Sequence, residues 1–347
     1  MFSFKKLKPL AALIALPVAA AVTTPAQAAE EVNIYSYRQA FLIEPMLDAF
    51  TQETGIKTNV VFAKEGLLER LEREGRNSPA DLLLTSDFGK LWDAVNKDLT
   101  QPVESDVLEQ NIPAQYRDPD GKWFGLTSRA RILYTSKERV KEGEVSTYED
   151  LADPKWKGRI CTRSGKHNYN IALFASMIQH HGEEKAEAWL EGLKNNLARK
   201  PQGNDRAQVK AVKEGVCDIA LGNSYYFGKM ITNAKNPEQI EWAQSVNLIF
   251  PNQADRGTHM NISGVALTEH APNKANAIKL MEFLSGQLAQ YMYAQENFEF
   301  PVRPNTPRSN LINKYMGEFK ADEVSLAEVA KHREQASKLV DKVGYNN

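Results

Sequence analysis

The 347-residue chain lacks most of the signatures that mark catalytic sites. It carries six histidines, none of them in an H-E-x-x-H pair. His180 and His181 are neighbours that a helix would point apart, and they read as a solvated helix end. His259, in T-H-M-N, reads as a residue with a structural hydrogen bond. There is no G-x-S-x-G nucleophile turn, no P-loop and no G-x-G-x-x-G after a predicted strand. Two cysteines, Cys161 and Cys217, are too few to build a zinc or iron–sulfur site on their own. Positive charge is not in excess either. The 43 basic residues against 44 acidic ones give a formal net charge of −1, which argues against a nucleic-acid partner. Beyond the N-terminus no apolar run approaches the roughly 18 residues needed to span a membrane.

The N-terminus itself is informative. Lys5, Lys6 and Lys8 precede an apolar run from Leu10 to Val22, and Ala26-Gln27-Ala28 is an A-x-A cleavage site. Residues 1–28 read as a secretory signal peptide cut after Ala28. The mature chain, exported and soluble, is long enough to split into two lobes. In an oxidising compartment a Cys161–Cys217 disulfide is the expectation, ahead of two buried thiols.

Strands and helices alternate along the mature chain. V-N-I-Y (32–35), a helix over 43–54 with Ile43, Met46, Leu47 and Phe50 on one face, and K-T-N-V-V-F (57–62) make a βαβ unit. Such a unit implies a parallel sheet with a right-handed crossover. A helix over 65–74 and the strand L-L-L-T (82–85) continue it. W-F-G-L-T-S-R-A-R-I-L-Y-T (123–135) is an extended segment suited to crossing between lobes. Then come a strand at 159–162, helices at 169–181, 183–194 and 206–214, and the strand V-C-D-I-A-L (216–221). V-N-L-I-F-P (246–251) reads as the return crossing, followed by a strand at 264–268 and a helix at 272–285. Ser325-Leu326-Ala327-Glu328 is a capping-box start for a last helix reaching about Val343. The fold class is α/β. One lobe is expected at 29–127 plus about 257–305, the other at about 128–256 plus 306–347, with a hinged cleft between them.

In open α/β sheets, ligands sit beyond the carboxyl ends of strands. Three clusters fall there: Y-S-Y-R-Q (35–39), H-N-Y (167–169) and N-S-Y-Y (223–226). A deprotonated phenol is a hard anionic oxygen donor that suits a hard trivalent cation such as ferric iron. Three phenolates from Tyr169, Tyr225 and Tyr226 would neutralise Fe³⁺. For the adjacent pair to reach one point, the backbone is expected to be irregular, with Gly222 and Gly228 permitting it. A small planar anion such as carbonate would complete the shell, held by Arg38, Gln39 and Arg129, because a guanidinium fork fits a planar oxyanion. Those arginines would also pull the phenol pKa values down. Pattern alone leaves other readings open. Tyrosine pairs often pack in cores, and Arg38 and Arg129 equally suit ion pairs between lobes.

Several segments carry a resemblance: V-N-I-Y-S-Y-R, A-F-T-Q-E-T-G-I-K, R-N-S-P-A-D-L, W-F-G-L-T-S-R-A-R, P-Q-G-N-D-R, L-G-N-S-Y-Y and N-I-S-G-V-A-L. Together, in order and over nearly the whole mature chain, they resemble the periplasmic ferric-iron-binding proteins of bacterial ABC importers. The resemblance implies a two-lobed periplasmic binding fold of type II, iron transport without catalysis, and a location in the periplasm. It also implies a monomer that docks on an inner-membrane permease. The family's tyrosine pair matches Tyr225 and Tyr226, and the third tyrosine of one branch matches Tyr169 in T-R-S-G-K-H-N-Y-N. Some members add a histidine or histidine-tyrosine ligand after the first strand. Here Gln39 and Ala40 stand there, and Ser86 stands where others have glutamate. The pattern is similar to the branch using three tyrosines plus carbonate, which supports Arg38 and Gln39. It also supports an arginine of S-R-A-R, Arg129 ahead of Arg131; in an extended segment the two share a face, so spacing does not choose. The competing readings are a binding protein of the same architecture for an organic anion or polyamine, and an exported enzyme.

Overall fold

The computed structural model describes Met1 and residues 30–347, so the expected signal peptide lies outside the described residues apart from Met1. Among them, no helix is long and apolar enough to cross a membrane. The strands are β1 (Glu31–Ser36), β2 (Lys57–Phe62), β3 (Leu82–Thr85), β4 (Phe124–Ser136), β5 (Ile160–Cys161), β6 (Ile219–Asn223), β7 (Val246–Ile249), β8 (Met260–Leu267) and β9 (Phe300–Pro301). They form one sheet in the order β2-β1-β3-β8-β4-β6-β5, with β7 and β9 also pairing β4. The helices that matter for the site are α1 (Glu44–Thr54), α2 (Leu67–Glu74), α3 (Phe88–Asn96), α4 (Asp106–Asn111), α5 (Asn168–His181), α6 (Glu183–Asn195), α7 (Asp205–Lys213) and α8 (Tyr225–Ile231).

The first βαβ unit forms as its pattern predicts. Met46, Leu47 and Phe50 of α1 are buried, and Gly55 ends the helix at φ 76°, a conformation that costs a residue without Cβ little. β1 runs parallel to both β2 and β3. Alternation along β1 sends Val32 and Ile34 into one core and Tyr35 and Tyr37 into another.

β4 organises everything else. All 13 of its residues are buried. Residues Phe124–Ala130 pair with β8, whereas Arg131–Thr135 pair with β6. The strand therefore changes partner between Ala130 and Arg131. Three cores follow this division. One lies under β1, β3 and the Phe124 end of β4. A second packs Leu133, Ile160, Ile219 and Leu221 on α5 and α6. A third holds Ile132, Tyr134 and Ala220 against α7 and α8. Cys161 and Cys217 form a disulfide in that third core, with Cα atoms 5.9 Å apart, inside the usual range for a bridge.

Three expectations are corrected. Residues 246–251 are not the return crossing: β7 pairs with Leu133–Ser136 of β4, and β8 is the strand that carries the chain back beside β3. The strand expected at 216–221 begins only at Ile219, because Val216 is exposed and follows the left-handed turn at Gly215. The last helix is two, Leu326–Lys331 and Arg333–Lys342, broken at His332, and Ser325 makes no side-chain cap. The break lets the first piece pack on both α3 and α5. From the second piece, Arg333 Nη1 reaches Asp93 at 2.9 Å and the Gly89 carbonyl at 3.0 Å on α3. The C-terminal segment thus touches elements on both sides of the sheet's division.

Candidate metal and anion site

Tyr169 is the second residue of α5, and Tyr225 and Tyr226 open α8. Each helix starts at the carboxyl end of its strand. α5 is capped by His167, whose Nδ1 accepts the Tyr169 N–H at 3.2 Å. Burial, and then the Arg163 charge, push the His167 imidazole down to about 3, so it is neutral and free to accept. α8 is tied to β4: the Ser224 N–H donates to the Ala130 carbonyl at 2.9 Å, and Ser224 Oγ accepts the Ala130 N–H at 3.2 Å.

The tyrosines do converge. The hydroxyls of Tyr169 and Tyr225 are 3.5 Å apart. The rings of Tyr225 and Tyr226 lie 4.2 Å apart between centroids, tilted by 30°. The backbone, however, is helical rather than irregular: Ser224 already has helical φ and ψ and the pair sits in the first turn of α8. The flanking glycines serve packing instead. A Cβ on Gly222 would stand 2.6 Å from the Tyr134 ring, and one on Gly228 would stand 2.2 Å from that of Phe298. The adjacent rings meet within the first turn of α8.

A second expectation about these phenols fails. Burial, followed by repulsion from the neighbouring phenols, raises Tyr225 far above the ordinary tyrosine range. Burial, Tyr169 and Asp205 raise Tyr226, and Arg163 offsets only part of this. For Tyr225 and Tyr226 desolvation outweighs the arginines around them.

The facing wall comes from β1, β4, β8 and the segment before β9. Arg38, Gln39 and Arg129 line the same cavity as the three tyrosines, a space of about 80 Å³. Gln39 is exposed. Arg38 is buried, and its fork is occupied: Nη1 donates to Ser263 Oγ at 2.6 Å and to Glu299 at 3.3 Å, and Nη2 pairs closely with the other oxygen of Glu299. Arg129 Nη1 donates to the same Ser263 hydroxyl at 3.0 Å, while its Nε is buried without a partner. Arg131 is elsewhere. Its Nη1 donates to Asp205 at 2.7 Å and Asn223 at 3.0 Å, and its Nη2 to Asn170 at 2.7 Å. It does not line the cavity. The two arginines share a strand face yet sit on either side of the point where β4 changes partner, so they meet different neighbours. Arg163 also donates to Asp205, at 3.0 Å. Burial works against the Asp205 charge, but the two guanidiniums hold its carboxyl below the usual range.

Sequence reading missed Glu299, Ser263, Arg206 and Lys229. All but Ser263 line the cavity, and Ser263 joins the two arginines. N-I-S-G-V-A-L and the Q-E-N-F-E-F stretch carried no periodic signal for Ser263 and Glu299, which pairing of β8 and β9 with β4 brings in; Arg206 and Lys229 come from α7 and α8. His180 and His181 are paired rather than solvated, with Asp322 at 2.7 Å and Glu149 at 2.6 Å. His259 is buried with its side-chain Nε2 unpartnered, while its backbone N–H donates to the Tyr148 hydroxyl at 3.2 Å. Among the described residues, no cluster of three or more His, Cys, Asp or Glu suits a metal. A larger open groove of about 960 Å³ near Leu288 and Tyr291 has Arg303 as its one charged lining residue and gathers no comparable chemistry.

Known proteins resemble this chain closely. Iron uptake protein A1 of Synechocystis is 45% identical over 317 residues, covering 91% of this chain and 88% of the relative. The apo ferric ion-binding protein A of Pasteurella haemolytica superposes with a TM-score of 0.88 at 54% identity, covering 92% of this chain and 99% of that one. A Trichodesmium protein solved in complex with iron and citrate superposes with a TM-score of 0.85 at 43% identity, covering 91% and 99%. The fold is the two-lobed type II periplasmic binding fold of these structures. With a family profile matching residues 77–316, the chain belongs to the bacterial extracellular solute-binding proteins.

Proposed function

We propose that this protein captures ferric iron in the periplasm and delivers it to an inner-membrane ABC permease, without catalysis. The observation that carries the reading is the approach of Tyr169 and Tyr225 to 3.5 Å between hydroxyls, with Tyr226 stacked beside them, in a cavity of about 80 Å³. Three phenol oxygens suit a hard trivalent ion. The cavity has room for an ion and a small anion, whereas pockets for organic ligands run to about 300 Å³ and more, which disfavours an organic anion or polyamine. The names of its relatives, iron uptake and ferric iron-binding proteins, agree.

Tyr169, Tyr225 and Tyr226 would be the iron ligands. Carbonate would complete the shell, held by Arg129, Gln39 and Arg38. Export with cleavage after Ala28, a monomeric state and a hinge between 29–127 plus about 257–305 and about 128–256 plus 306–347 belong to the same reading; the partner change within β4 supports that hinge. The anion would draw the two walls together as the cleft closes. The test is visible absorption of the purified protein with ferric iron, with and without bicarbonate. A phenolate-to-iron charge-transfer band that strengthens with bicarbonate is expected; a colourless, iron-free protein would exclude the assignment.

A further inference from the structure

Arg38 does not offer an open fork to an incoming anion. Both of its terminal nitrogens face Glu299, one of them shared with Ser263, and the Nε is buried without a partner. The side chains of Arg38 and Glu299 are only 3% and 4% exposed, so solvent does not weaken the pair appreciably. Ser263 Oγ links the cluster, 2.6 Å from Arg38, 3.0 Å from Arg129 and 3.5 Å from Glu299. Within this cluster two guanidiniums face one carboxylate, leaving one positive charge uncompensated, and Arg206 and Lys229 add further cationic groups to the same cavity.

Glu299 is held there by its surroundings. It follows Phe298, which ends the helix Gln287–Asn297 at φ 60°, and precedes β9, where Phe300 pairs with Ser128 of β4. Phe298 packs on Gly228 of the tyrosine helix, and Lys229 of that helix donates to the Glu296 carbonyl at 2.6 Å. The segment that carries the carboxylate is therefore clamped between the arginine strand and the tyrosine helix.

We infer that Glu299 is a specificity-determining residue for the anion: an internal carboxylate that occupies the Arg38 fork until an external oxyanion takes it. The inference deepens the carbonate-assisted reading above and rests on it. Among the described residues Arg129 donates to Ser263 and pairs with no carboxylate, whereas the terminal nitrogens of Arg38 become available to an anion only when Glu299 is displaced. The competition weakens the hold on any anion and favours a small planar one that can share the arginines over a bulky polyanion. It also gives Arg38 a counterion again as soon as the anion leaves, so release does not strand a buried charge.

The test is a bicarbonate titration of the iron-loaded, full-length mature protein in carbonate-free buffer, read at the charge-transfer band, for the wild type, Glu299→Gln and Glu299→Asp. Glu299→Gln removes the competing charge, and the bicarbonate needed for half-formation of the band should fall about tenfold or more, the scale expected for a charge-assisted bidentate contact. Glu299→Asp keeps the charge but shortens the arm, and its requirement should fall by a smaller factor. A merely structural lesion would raise the requirement, so the direction of change is diagnostic. A folded Glu299→Gln protein that needs as much bicarbonate as the wild type, or more, overturns the inference. Should thermal melting show that this variant does not fold, Glu299→Asp decides by the same criterion. A wild type whose band ignores bicarbonate instead overturns the carbonate reading itself, and the inference with it.

Discussion

The two walls of the cavity are built in opposite ways. One wall presents Tyr169, Tyr225 and Tyr226 from the first turns of two helices. Burial raises the pKa values of Tyr225 and Tyr226, and the phenols would repel one another once ionised. The other presents Arg38 from the bend after β1 and Arg129 from β4, permanently charged and already hydrogen-bonded to Glu299 and Ser263. The tyrosine wall waits for a cation to make it stable as an anion. The arginine wall carries its own counterion. The contrast teaches that the phenols respond to the metal, while the arginines are tuned in advance by their partners.

The largest effect expected from this asymmetry is on pH. Phenols raised by burial keep their protons at neutral pH, so iron must displace them, and each displaced proton weakens iron binding about tenfold per unit fall in pH. For Tyr225 and Tyr226 together, affinity should drop by up to roughly a hundredfold per unit. Iron release followed by absorbance during acid titration checks this. Iron retained without pH dependence down to about pH 4 would contradict both the phenolate and the carbonate parts of the reading.

Next, the difference between Arg129 and Arg131 can be broken by paired substitutions. Arg131→Gln leaves the fully buried Asp205 with Arg163 as its remaining cation, and losing one partner of such a pair costs about 3–5 kcal/mol. Denaturant unfolding should show that loss. Arg129→Gln should unfold almost as the wild type does and instead raise the bicarbonate requirement about tenfold, the value of one charge-assisted contact. If the two variants exchanged these phenotypes, the partner change at Ala130/Arg131 would not be what separates the two roles.

Tyr225→Phe keeps the ring that stacks on Tyr226 and removes one oxygen. Iron affinity should fall on the order of 100-fold or more, beyond the 10–100-fold typical of outer-shell partners, with the charge-transfer band weakened. A competition assay against a chelator measures it, and unchanged affinity would remove Tyr225 from the ligand set. An effect on stability alone concerns His259, which lies outside the cavity. Burial depresses its pKa to about 4 from 6.5. The unfolded chain then binds the proton that the folded one refuses, so stability should fall as pH drops from about 6.5 to about 4, by about 3 kcal/mol in all. His259→Asn should flatten that slope in thermal melts without moving the iron spectrum.

The alternation of strands and helices, the βαβ start and the positions of the three tyrosines were legible because they rest on local periodicity and on short motifs. Residues 57–62 and 82–85 are strands at the bounds read from pattern. Much of what failed depends on a partner distant in sequence. The stretch 246–251 looks like a crossing because it is extended and apolar, but extension says nothing about which strand it will join. Likewise, the spacing of Arg129 and Arg131 puts them on one face, and only the exchange of β8 for β6 alongside β4 gives them different neighbours.

By itself, then, the chain's order of residues determined that hard oxygen donors and planar cations would gather at strand ends, since side-chain chemistry and element boundaries are local properties. Tertiary structure decided which arginine reaches the cavity, that the tyrosine pair needs no irregular backbone, and that a carboxylate 261 positions from Arg38 already occupies its fork. Those outcomes follow from strand pairing and burial, which sum contributions from the whole chain and leave no trace in any short window of it.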